Sequence, residues 1–139
     1  SIVIVGASFL DLLLEHILPE SEREVDELFR NDQPLGSFGN KVRLTYCLGL
    51  IEKAVKEDLK LSGKIRNKFA HDLYASFESE QIREWCKKLN WYHISFMEYT
   101  PEMATARDIF QVAVHQLITY LNGAVSSARG KKIKVENNF

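Results

Sequence analysis

One rhythm constrains this chain more than any other feature. Leu61, Ile65, Phe69 and Leu73 recur every four residues. That spacing draws an apolar stripe down one side of a helix and does not fit a strand, whose faces alternate residue by residue. The rhythm returns along the chain. Val5, Phe9, Leu12, Leu13 and Ile17 share a face over 2–18. Val42, Leu44, Cys47, Leu48, Ile51 and Val55 carry it over 41–56. Ile82, Trp85, Cys86 and Leu89 carry it over 79–91, and Phe110, Val114, Leu117, Leu121, Ala124, Val125 and Ala128 over 100–128. No segment alternates strictly between apolar and polar residues over a strand's length. The expected fold is all-α, a single-domain bundle of about five helices joined by short loops.

The punctuation agrees. Pro19 ends the first helix, and a short acidic helix over 20–30 turns Val25, Leu28 and Phe29 inward. Asn31 to Gly36 reads as a loop, with Ser37 or Asn40 capping the next helix. Gly49 falls inside the 41–56 helix at a cost of about 1 kcal/mol against Ala, which close approach of a neighbouring helix would explain. The next helix, over 57–71, is weakened at Gly63, and Asp58 near its start suits the positive end of the dipole. Ser79 caps the helix after that. Thr100-Pro101-Glu102 starts the last, and Gly130 stops it. The helical domain is expected over 1–128, with 129–139 a frayed basic tail.

At 139 residues, 45% hydrophobic and 27% charged, the chain has the make-up of one soluble globular domain. A net charge of -1 and a pI near 6.4 argue against a dedicated DNA-binding domain, though a local basic patch can hide in that balance. Cys47 and Cys86 lie far apart on apolar helical positions, so both are expected as buried free thiols in a reducing cytoplasm. There is no Cys-x-x-Cys, no His-x-x-x-His and no glycine-rich phosphate loop, and neither a metal nor a cofactor is expected. The apolar run 2–14 is too short to span a membrane and is interrupted by Asp11. It starts abruptly at Ser1, so an upstream segment is expected to be missing.

The most suggestive chemistry lies between Lys64 and Asp72. Asn67 and His71 are four apart and share a helix face. Arg66 lies about 140° round from His71, within reach of a long side chain or of a second copy. An imidazole can move a proton to or from a ribose hydroxyl near neutral pH. A guanidinium can hold the charge of a pentacoordinate phosphate, and an amide can orient either group. Lys60, Lys64 and Lys68 form a basic row that can steer a phosphate backbone, while Arg43 and Tyr46 are candidates to line the same site. Asp72 is placed to fix the imidazole tautomer. The plain alternative is a solvated helix face. The aromatic run Trp91, Tyr92, His93, Phe96 and Tyr99 can stack bases or simply fill the space between helices. His115 reads as surface or subunit contact.

Arg66-Asn67, three residues, then His71 resembles the Arg-polar-x-x-x-His signature of the HEPN superfamily, all-helical domains that include metal-independent endoribonucleases. A second resemblance covers more of the chain. Leu28-Phe29, Pro34-Leu35-Gly36-Ser37-Phe38, Val42-Arg43-Leu44 and Tyr46-Cys47-Leu48-Gly49-Leu50-Ile51 resemble the mannitol operon repressor family, itself HEPN-like. Phe77, Ile82 and Cys86 continue the likeness, which spans roughly 4–89.

The first resemblance implies an endoribonuclease of toxin or defence type, with RNA as substrate. His71 would be the acid/base, Arg66 the transition-state clamp and Asn67 the positioner, shared across a homodimer groove. The second implies a transcriptional regulator that acts through a protein partner or DNA without catalysis. No helix-turn-helix with a basic recognition helix stands out for that role. Either protein is expected in the cytoplasm and off the membrane.

Overall fold

The computed structural model describes residues 9–11, 27–30, 32–90 and 105–137, with side chains as far as Ser127. All regular structure among the described residues is helical, in keeping with the all-α expectation. Four helices have complete bounds: α1 (Phe38–Cys47), α2 (Lys53–His71), α3 (Glu80–Lys87) and α4 (Ala106–Asn137). Residues 9–11 are also helical, and Leu10 is fully buried in the core. Most of the helix expected over 2–18, much of the acidic helix over 20–30, the aromatic run Trp91–Tyr99 and the Thr100-Pro101 start lie outside the described residues.

α1 begins where Ser37 accepts the Asn40 backbone N–H at 3.2 Å, so Ser37 is the cap. Asn40 instead latches the loop by donating to the Pro34 carbonyl at 2.7 Å. The single helix expected over 41–56 is two helices. Gly49 adopts φ 72°, and its N–H reaches the Tyr46 carbonyl while the Leu50 N–H reaches that of Thr45. This pair of bonds is a Schellman ending, which uses glycine for its left-handed backbone. A Cβ on Gly49 would meet nothing within 4 Å, so close helix approach is not its reason. That reason belongs to Gly63, where a Cβ would stand 3.1 Å from the Phe38 ring.

α2 and α4 run antiparallel and pack through two apolar clusters, with the partly buried Ile118 against both. Val55 and Leu59, early in α2, pack with Leu117, Leu121 and Val125, late in α4. Ile65, later in α2, packs with Ile109, Phe110, Ala113 and Val114, early in α4. α3 closes that second half with Ile82 and Cys86, followed by Leu89. The Phe77 ring bridges Phe69 at 5.0 Å and Phe110 at 5.6 Å.

α4 starts with a reciprocal cap. Thr105 Oγ1 accepts the Asp108 N–H at 3.2 Å, and an Asp108 carboxylate oxygen accepts the Thr105 N–H at 3.3 Å. Gly130 does not stop this helix, which continues to Asn137. Ser79 precedes α3, but its hydroxyl accepts from Ser76 rather than from the helix.

Candidate functional site

α2 carries the sequence-derived constellation, and its helical geometry separates the parts. Arg66 is half-buried, with its guanidinium 5.3 Å from the Phe38 ring centre, a cation–π stack against α1. Its Nε donates to Asn67 Oδ1 at 3.4 Å. Asn67 and His71 face solvent together. The structure therefore brings Arg66 to Asn67 and Phe38. Within one chain it leaves His71 about 140° round the helix from Arg66.

Asp72 does not serve the imidazole. One carboxylate oxygen accepts the Tyr74 N–H at 2.9 Å, and the other lies 3.5 Å from Lys68 Nζ. Lys60 and Lys64 are exposed and share their side of α2 with Lys53 and His71. Arg43 and Tyr46 are exposed on α1. Lys56 Nζ sits 4.3 Å above the Tyr46 ring, so that ring face already has a cation on it.

Sequence reasoning put Leu73 in the apolar rhythm of the stripe and also had Asp72-Leu73-Tyr74-Ala75 leave the helix, and the structure bears out the exit. Leu73 stands 98% exposed, with Tyr74 beside it at 91%. The signal available in the sequence was Asp72 itself, a turn-forming residue that redirects the side chains after it.

Among the described residues two charged side chains are buried instead, Lys41 and Asp58, together with Thr45 and Ser62. Lys41 is 2% exposed and ion-paired with Asp11 at 2.9 Å. Asp58 is fully buried in the second turn of α2, not near its first, and accepts the Asn90 backbone N–H at 2.8 Å and its side-chain amide at 3.1 Å. Cys86 is buried, and burial pushes its thiol up to about 12. Cys47 is exposed, contrary to expectation, because it lies in the last turn of α1 off the packed side. A cleft of about 460 Å³ lies between the Gly49-Leu50 corner and α4, lined also by Thr119, Tyr120, Gly123, Ala124 and Ser127.

Taken together these features define a small all-helical domain with a solvent-facing cationic strip along α2. The chain belongs to the mannitol repressor family, which matches residues 11–120. Its fold is similar to that of the protein in the X-ray structure of the MtlR-HPr complex from Escherichia coli. The TM-score is 0.58 at 18% identity, over 91% of this chain and 87% of that one. No curated protein matches the chain. Among the described residues, no helix is long and apolar enough to cross a membrane.

Proposed function

We propose that this protein is a regulator of mannitol-repressor type that works by binding another protein, without catalysis. The observation that carries this reading is the family match across most of the chain. The similar fold solved in complex with HPr supplies the first partner to test. An operon regulator acts where transcription occurs, so the reading also places the protein in the cytoplasm. Titration calorimetry with purified HPr tests it. Saturable binding at micromolar or tighter affinity is expected. Absence of heat and of complex on a sizing column would overturn it.

The endoribonuclease reading draws less support. It needs the Arg66 guanidinium opposite a His71 imidazole, and the two point to different sides of α2 in one chain. A partner copy would have to supply the match. The polar strip of Lys60, Lys64 and Lys68 remains compatible with a polyanion, and filter binding of RNA and DNA at two salt concentrations measures that. RNA cleavage in the presence of chelator, abolished by Arg66→Ala and by His71→Ala, would restore the nuclease. No cleavage is expected.

A further inference from the structure

Charge is segregated along this chain. Residues 38–71 hold eight Lys and Arg against three Asp and Glu, a surplus of five in a chain whose net charge is -1. The remainder is therefore acidic. The fold sorts the charges again. Lys41 and Asp58 are interior, Arg66 lies on the Phe38 ring, and Lys68 faces Asp72. Arg43, Lys53, Lys60 and Lys64 are left exposed. On α2, Lys53, Lys60, Lys64 and His71 fall within about 40° of one another, a straight row about 27 Å long. Arg43 shares an edge of α1 with Tyr46, one turn along. Lys56 Nζ, 4.3 Å above the Tyr46 ring, joins that edge to α2. The two helices thus present one basic surface.

The carboxylates of the two helices leave this surface basic. Glu57 accepts from the Asn90 amide at 3.1 Å, and Glu52 sits at the N-cap of α2, beside the positive end of that helix. A solvated helix face ordinarily mixes both signs. A row of like charges this long suits a ligand whose own charges are regularly spaced and negative, which is what a phosphodiester backbone offers. Single-strand binders hold bases on open aromatic faces, and the Tyr46 ring beside the row already has a cation over one face. A double helix needs no such platform, because its phosphates line the outside. We propose that the α1–α2 surface carrying Arg43, Lys53, Lys60 and Lys64 binds the phosphate backbone of duplex DNA, independently of sequence. This goes beyond the protein-binding reading and does not rest on it.

Fluorescence anisotropy with a labelled DNA duplex of about 20 base pairs and arbitrary sequence tests this. Micromolar binding is expected at about 50 mM salt, with log K falling against log salt at a slope of about -4, as four phosphate contacts require. Lys60→Glu/Lys64→Glu is expected to keep the wild-type melting profile, to weaken binding about tenfold or more and to reduce the slope by about 2. Arg83→Glu/Arg107→Glu makes the same change of charge at exposed positions outside α1 and α2. It is expected to weaken binding less than about threefold. Equal losses in the two double variants would overturn the surface in favour of bulk charge. No duplex binding by the wild type would overturn it outright. A single-stranded RNA bound more tightly than the duplex would overturn it too. So would a polyglutamate peptide bound more tightly, which would assign the row to an acidic protein. Each of these results leaves the HPr titration, and the protein-binding reading with it, untouched.

Discussion

Gly63 and Phe38 meet at 3.1 Å, measured from the ring to where a Cβ on the glycine would stand, so α1 rests on bare α2 backbone. Arg66 closes over the same ring. Gly63→Leu has no room and is expected to cost about 2–3 kcal/mol through overpacking. Gly63→Ala needs the ring to shift slightly, a cost offset by the roughly 1 kcal/mol gained in helix propensity, so it should fall within about 1 kcal/mol of wild type. Urea unfolding separates the two. Equal midpoints would mean that α1 does not press on α2 here.

The Lys41–Asp11 pair is asymmetric, at 2% and 33% side-chain exposure, and so should be its response to mutation. Asp11→Ala removes a carboxylate 2.9 Å from a buried ammonium and is expected to cost about 2–3 kcal/mol. Lys41→Met keeps the volume and leaves behind a carboxylate that water can reach, so about 1 kcal/mol is expected. The Phe29 ring 5.8 Å from the ammonium softens the first value, since Asp11→Ala keeps the cation, and not the second. Chemical denaturation of the two variants in parallel checks the order. The reverse order would show that Asp11 does not hold the charge.

Asp58 joins α2 to the segment after α3 through a donor that mutation at position 90 does not remove, the Asn90 backbone N–H. Asn90→Ala is therefore expected to lose only the side-chain contacts, about 1 kcal/mol. Asp58→Ala strands buried donors and should cost about 3 kcal/mol. Hydrogen exchange at the Asn90 amide offers a second readout, fast in Asp58→Ala and slow in Asn90→Ala.

The two thiols should part company. Cys47 is exposed, and Cys86 is buried with its thiol pushed up to about 12. At pH 8 only about one Cys86 in ten thousand is thiolate. Native protein should titrate one thiol with Ellman's reagent, and unfolded protein two. Burial holds the proton on Cys86 in the folded state, while the unfolded thiol releases it near 9.0. The stability it contributes is complete below pH 9 and falls as pH climbs from there toward 12.

Much of the scaffold could be read from spacing. Of the stripe named for α2, Ile65 is buried and Leu61 and Phe69 are partly so, and Ile82, Cys86 and Leu89 follow the rhythm of α3. The break between α1 and α2 could not be seen that way, because the residues flanking Gly49 are leucines that keep the apolar beat through a turn. The two glycines consequently exchanged roles: Gly49 ends a helix, and Gly63 admits a ring. The candidate residues on α2 could be named from the sequence, but their mutual geometry could not. Arg66 looked available because a helical wheel shows direction but not what lies there, and Phe38 comes from another helix. Leu73 keeps the beat of the stripe but lies past Asp72, where the chain was expected to leave the helix and does.

The interlocked Thr105 and Asp108 set the first turn of α4 from within four residues. The helix therefore takes its phase from its own origin and not from what precedes it. Relatives can lengthen or shorten the chain ahead of position 105 without rotating Phe110, Leu117 or Leu121 away from the interior. Differences in chain length among such proteins should accumulate upstream of that lock.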